Sequence, residues 1–241
     1  MQGIFGFLGL QLTPIFEPIP GYHFKIAHAT TKYIGNELDT SLSMIHKRKL
    51  APYGSWKSPI TAELYASSYI GVNEPSFDED QIYWKEERPK EGGRSILVRR
   101  SPEGTLTEIT PKEFNVRTTV HEYGGGDYVV QGGKVYFSNF KDQRLYVHTA
   151  GSQPNPITPP DVDIRYADGV VDTKRNRLVF IREDHTTGAS QAANTIVSID
   201  LIKGGAGEIL VSGNDFYSNP RLKPDSSRLA WLTWNHPNMP W

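Results

Sequence analysis

One hydrophobic pattern occurs four times in this chain: GluAspGlnIleTyrTrp at 79–84, GlyGlyLysValTyrPhe at 132–137, ArgAsnArgLeuValPhe at 175–180 and SerSerArgLeuAlaTrp at 226–231. The apolar anchors Ile82, Val135, Leu178 and Leu229 are spaced by 53, 43 and 51 residues. A near-constant period of this size points to a propeller or a solenoid, because each repeat has an apolar face that only a neighbouring repeat can cover. A second apolar run follows at Ile96LeuVal98, Leu145TyrVal147 and Ile196ValSer198, and a third begins at Ile109, Ile157 and Ile209. Turn formers lie between them, among them Gly92, Gly93, Pro102, Gly104, Gly151, Pro154, Gly204 and Gly205. Ahead of the later anchors stand Tyr128ValVal130, Gly169ValVal171 and Pro220ArgLeu222, with a weaker first case over 67–72. Four short strands rich in β-branched and aromatic residues, repeated about every 45 residues, describe the blade of an all-β propeller. A solenoid is the alternative architecture. The fourth copy is incomplete, so the expectation is a partial propeller of about three and a half four-stranded blades, with an irregular N-terminal extension.

Composition fits an all-β protein full of turns, with 22 Gly and 17 Pro in 241 residues. A net charge of −1 supplies no long-range field for nucleic acid or an anionic membrane, so neither partner is expected. With 0 Cys, disulfides and thiolate metal sites are excluded, and no Asn-x-Ser/Thr glycan acceptor occurs. Both features fit a reducing, cytoplasmic setting.

Residues 1–50 follow no period and are unassigned. The apolar stretch 4–12 is interrupted by Gly6, Gly9 and Gln11, is far shorter than a membrane span and has no positive flank, which argues against a signal peptide. An organelle-targeting leader, a partly ordered extension and a misplaced start all fit this segment.

From Ala51 onward, ProTyrGlySerTrpLysSerProIleThrAla (52–62), AsnValArgThrThrValHisGluTyrGlyGlyGly (115–126), TyrPheSerAsnPheLysAspGlnArgLeuTyr (136–146), ArgTyrAlaAsp (165–168), ArgGluAspHis (182–185) and ThrTrpAsnHisProAsnMetProTrp (233–241) run in order along the chain. Together they resemble the N-terminal propeller of the dipeptidyl aminopeptidase and acylaminoacyl-peptidase-like members of the prolyl oligopeptidase family, and the likeness spans 51–241. The resemblance implies a serine peptidase whose propeller of about seven blades caps a C-terminal α/β-hydrolase domain and admits only short or unfolded peptides. The remaining blades and the hydrolase domain are absent from this sequence.

No serine here stands in the Gly-x-Ser-x-Gly elbow that exposes such a nucleophile. The nearest match, Gly188AlaSerGlnAla192, lacks the second glycine and follows a polar run, which suits a blade loop. No catalytic residue is assigned, and the chain alone is expected to be inactive. His121GluTyrGlyGly125 starts like a zinc-protease motif but has Gly125 where the second histidine belongs, so no metal is expected, and no cofactor. Glycines 124–126 lack the Lys and Ser/Thr of a phosphate loop, and positive φ angles account for them more simply.

Polar residues recur beside the anchor strands: His121, Glu122 and Tyr123 before the second blade, Asn139 after its anchor strand, Arg182, Glu183, Asp184 and His185 after the third, and Trp234, Asn235 and His236 after the fourth. Loops at one rim of a propeller face the ligand or domain that sits there. These residues are therefore candidates for contact with a peptide or with the hydrolase domain. By the role that propeller glutamates play in related dipeptidyl peptidases, Glu122 and Glu183 are candidates to hold a substrate α-amino group. Inter-blade ion pairs and turn caps are the plainer reading of the same residues, and of Arg117 and Arg165 above all. Trp84, Tyr136, Phe180 and Trp231 occupy equivalent anchor positions and are expected to pack between blades rather than to form a carbohydrate platform.

Two function classes follow. One is part of a serine peptidase that gates peptide access in cis to a hydrolase domain. The other is a non-enzymatic propeller that binds a peptide or protein. In either case an open arc of blades exposes terminal sheet faces, and self-association of the isolated chain is expected.

Overall fold

The computed structural model describes residues 52–55, 57–67 and 69–240. The unassigned segment 1–50 lies outside the described residues. A short helix α1 (Ala62–Ser67) precedes fourteen strands. Strands β1 (Gly71–Asp78), β2 (Gln81–Arg88), β3 (Arg94–Arg100) and β4 (Leu106–Glu108) form one antiparallel meander. The second consists of β5 (Tyr128–Gln131), β6 (Lys134–Ser138), β7 (Leu145–Thr149) and β8 (Asn155–Pro156). The third consists of β9 (Ile164–Asp172), β10 (Arg177–Asp184), β11 (Ala193–Asp200) and β12 (Gly204–Val211). A pair, β13 (Phe216–Leu222) and β14 (Leu229–Trp234), begins a fourth. The anchors Ile82, Val135, Leu178 and Leu229 all fall on the second strand of their sheet, as the period requires. This is a partial propeller of three and a half blades.

Two local expectations change. Residues 62–67 form α1, and the first blade opens later, at Gly71. The run AlaGluLeuTyrAla is made largely of helix formers, and the Thr61 hydroxyl accepts from the Leu64 N–H at 3.0 Å to start the turn. The third apolar runs of blades one and two lie just past β4 and β8, where Ile109 and Ile157 still donate to the carbonyls of Leu97 and Leu145, each at 2.9 Å. The following threonines repeat one device: Thr110 Oγ1 accepts from the Leu97 N–H at 2.8 Å, and Thr158 Oγ1 from the Leu145 N–H at 3.0 Å. A side-chain hydroxyl thereby continues the ladder after the strand has ended.

The core lies between the blades rather than within them. Tyr83 and Leu97 of the first blade pack with Tyr128, Val130, Val135 and Phe137 of the second. Tyr136 and Leu145, on the other face of the second, pack with Leu178, Phe180 and Val197 of the third. Val179, Ile181 and Ile196 then meet Tyr217 of the fourth. Alternation along each strand sends successive residues to opposite seams, so one strand contributes to two cores. Gly169 is required by one of these seams: a Cβ there would overlap the ring of Phe180.

The first strands adjoin in the order β1, β5, β9, β13, which makes them the inner strands. Three carry a register irregularity, between Asn73 and Ser76 in β1, opposite Val179 and Ile181 in β9, and between Ser218 and Arg221 in β13. A left-handed residue marks each: Glu74 (φ 53°), Asp168 (φ 54°) and Asn219 (φ 51°). These bulge residues join neighbouring blades. Glu74 Oε2 accepts from Asp127 N at 2.9 Å, Asp168 Oδ1 from Gly126 N at 2.6 Å, and Asp168 Oδ2 from Asn219 N at 2.9 Å. The close approach of β9 also corrects the reading of glycines 124–126. Only Gly124 has a positive φ, at 95°, whereas a Cβ on Gly125 or Gly126 would come within 2.9 Å of Ala167 or Asp168.

Candidate functional site

The turn over 120–124 leads into β5 with two consecutive non-glycine residues in the left-handed region, His121 at φ 57° and Glu122 at φ 66°. Such a backbone costs on the order of 1–3 kcal/mol per residue and persists only when its surroundings fix it. Here Glu183 of β10 supplies the restraint, its Oε2 accepting the His121 N–H at 2.6 Å. Glu122 N and Gly124 N donate to the carbonyls of Thr119 and Val120 at 3.0 and 2.9 Å. The strain delivers the Glu122 side chain outward, 79 % exposed, while Glu183 lies behind it at 5 %.

Arg165 connects the two. It stands opposite Glu183 in the β9–β10 register, and its Nη1 lies 2.7 Å from Glu122 Oε1, 3.2 Å from Glu183 Oε1 and 2.9 Å from the Thr119 carbonyl. His185 Nε2 approaches Glu183 Oε1 at 2.6 Å. Hydrogen bonding to the Arg165 guanidinium holds the Glu122 carboxyl below its ordinary range, so it is ionised at neutral pH. Two carboxylates thus share one permanent cation, and Glu183 has both oxygens engaged. Of the two, Glu122 is the one a ligand can reach.

Beside the carboxylates stands an aromatic wall. Phe216 stacks on Trp234 with ring centroids 5.4 Å apart and planes at 14°. The His121 ring meets both edge-on, at 5.3 and 5.8 Å, and His236 lies 4.8 Å from Phe216. Burial, the dominant effect, lowers the His121 pKa below its ordinary 6.5 despite the nearby Glu183 and Asp168 charges, so the ring is neutral at pH 7. Asp215 holds His236 through its backbone N–H at 2.9 Å and its Nδ1 at 3.0 Å.

The structure therefore brings together His121, Glu122, Glu183, His185 and His236 around one cavity of about 570 Å³ between the third and fourth blades. Tyr123 and Trp234 line the adjoining cavity of about 710 Å³ along the inner strands, with His121 shared between the two. Three candidates stand elsewhere or serve the frame. Asn139 is buried in the second blade, where Oδ1 accepts from Asn115 N at 3.1 Å and Nδ2 donates to Asp142 at 3.0 Å. Arg182 donates to the Gly207 carbonyl at 3.3 Å and pairs with Asp184 at 3.7 Å. Asn235 Oδ1 caps Asp215 N at 2.7 Å. Arg117 lies over the Phe140 ring at 5.0 Å. Sequence reasoning set Arg165 aside and missed Phe216, Asn194 and Asp215, which cross-strand register and the β13–β14 pairing place here.

Glu122, Glu183 and His185 also offer three ligand atoms within 4.8 Å of one another. Arg165 already pairs with both carboxylates and supplies the positive charge at this point.

No protein-family model matches the chain, and no curated protein sequence matches it significantly. Solved structures do. A puromycin hydrolase is 34 % identical over 79 % of this chain, with a TM-score of 0.70. The S511A mutant of puromycin hydrolase complexed with PGG gives 34 %, 79 % and 0.71. A puromycin-hydrolyzing peptidase of Mycobacterium tuberculosis gives 34 %, 80 % and 0.69. These are prolyl oligopeptidase-family proteins. This chain belongs to that family, as its propeller portion. It spans 32 % of the length of each of these structures.

Proposed function

We propose that this chain is the propeller portion of a prolyl oligopeptidase-family serine peptidase, where it admits short peptides and holds their free amino end at Glu122. The observation that carries the reading is the pair of carboxylates sharing one Arg165, with Glu122 projecting into a rim cavity and Glu183 fixed behind it. An ammonium would meet Glu122 at its exposed face, beside the Arg165 pair. The names of the similar structures, hydrolases of puromycin and one complex with PGG, support a small amine-bearing substrate. Peptide-bond cleavage would belong to a hydrolase domain working in cis, and the propeller's part is selection and register.

The test is titration of the 241-residue chain with a tripeptide, free or acetylated at its N-terminus, followed by NMR. Free peptide should shift the amide signals around Glu122, and acetylation should abolish the shifts. Glu122→Gln should weaken binding roughly 2- to 5-fold, the range for an exposed ion pair. Equal binding of free and acetylated peptide would overturn the reading.

A further inference from the structure

The carboxylate is only one side of the rim cavity, and the other side is aromatic. His121, Phe216 and His236 line the same roughly 570 Å³ space as Glu122 and Glu183. Resting on the amine-binding reading above, we propose that this cavity selects peptides whose first residue is aromatic, with the ring seated against Phe216 and His236 while the α-amino group meets Glu122.

Three observations carry this. The first is placement. A residue's α-amino group and its side chain leave the same carbon, so a site that reads both must hold its anion and its wall close together. His121 and Glu122 are consecutive, and one strained turn presents the imidazole to the wall and the carboxylate to the cavity.

The second is rigidity. Phe216 is held by the stacked Trp234 and by the His121 edge, and the His121 backbone is in turn held by the buried Glu183. The residue that backs the anion therefore also fixes the wall. A preordered aromatic surface favours a second ring, in offset or edge-on contact, over a flexible aliphatic chain. The β10–β11 loop lines the same cavity with Ala189, Ser190, Gln191 and Ala192.

The third is the support beneath the wall. Asn194, 8 % exposed, lines the cavity and gives its Nδ2 to the Asp215 carbonyl at 2.9 Å. Its amide lies against the His121 imidazole, so one buried side chain of the third blade steadies both His121 and the segment that leads into Phe216.

The experiment is calorimetric titration of the whole 241-residue chain with Phe-Gly-Gly, Leu-Gly-Gly, Gly-Gly-Gly and N-acetyl-Phe-Gly-Gly. The expected result is Phe-Gly-Gly tightest, by about 3- to 10-fold over Leu-Gly-Gly, with the acetylated peptide much weaker. Phe216→Leu keeps an apolar side chain of similar volume and should erase the preference for Phe over Leu while retaining the preference for a free amine. If the three free peptides bind equally and acetylation still abolishes binding, the aromatic selection is wrong and the amine reading stands. If Phe-Gly-Gly and its acetylated form bind equally well and both bind more tightly than Leu-Gly-Gly, the amine reading falls and the aromatic site stands. Failure of every peptide to bind overturns both.

Discussion

The third and fourth blades carry the same strand pattern and meet different fates. Phe180, two residues after its anchor, is 0 % exposed, while Trp231 at the same place in the fourth blade is 37 % exposed. Ile181 is likewise 0 % exposed and its counterpart Leu232 58 %. The difference is in the flanks. Strand β10 is paired on both edges, by β9 and β11, and its sheet is packed on both faces. Strand β14 is paired only by β13 among the described residues. Hydrophobic pattern decides which residues can be core, and the neighbouring strands and blades decide which of them are. The expected inter-blade packing of the anchor aromatics accordingly holds for Tyr136 and Phe180 and fails for Trp231.

This contrast can be broken by mutation. The largest effect should come from Phe180→Ala, a loss of about 3–5 kcal/mol in urea unfolding, because the seam between blades two and three cannot refill the space of a ring. A cost below about 1 kcal/mol would mean that the seam is not close-packed. Gly169→Ala should lower stability by roughly 1–3 kcal/mol, since the added methyl group must push the Phe180 ring aside.

The junction of the first and second blades sharpens the comparison, since it is charged as well as apolar. Lys85 bridges Asp127 and Glu74, at 2.8 Å from the latter, and all three lie close to Tyr128, whose hydroxyl donates to the Glu74 carbonyl at 2.6 Å. Burial disfavours the Lys85 charge, but the two carboxylates outweigh it and hold its pKa above the ordinary lysine value. Burial and then the Glu74 charge push Asp127 up from 3.8 to about 7. A carboxyl whose folded pKa is raised binds its proton more tightly when folded, so its contribution is full below 3.8 and is lost as pH rises through about 7. Asp127→Asn should therefore gain stability relative to wild type, on the order of 1–2 kcal/mol, between about pH 4 and 7. A difference independent of pH would refute the coupling. The smallest effect is expected at Trp231→Ala, about 1 kcal/mol, because this ring is already more than a third exposed and sits in no closed seam.

The repeat, the anchors and the blade order were all legible in the sequence, because a period-2 pattern recurring at a fixed interval leaves few foldings open. The site was legible in part. His121, Glu122, Glu183 and His185 were singled out because ionisable groups cluster at blade ends. Their grouping was not visible, since it depends on Arg165 standing opposite Glu183 across two strands and on a left-handed turn that no local motif marks. Glu183 itself combines both readings, a structural ion pair that also supports a neighbour reaching solvent. Phe216 was missed because a phenylalanine opening a strand carries no signal of what will stack on it.

The bulges at Glu74, Asp168 and Asn219 set the frame in which each inner strand is read. In β9, Ile164 and Tyr166 face the second blade, and beyond Asp168 it is Val171 that does so, while Ala167 and Val170 face the fourth. Even and odd positions have exchanged roles across a single inserted residue. Drawing Asp168 into regular extended pairing, with no bulge and no residue removed, would therefore send Val170 and Val171 to each other's seams, although neither residue had been touched. Extra residues added at a hairpin tip would leave every seam as it is. Which side chains reach which seam thus depends on three bulges around the axis and is indifferent to the length of the outer loops.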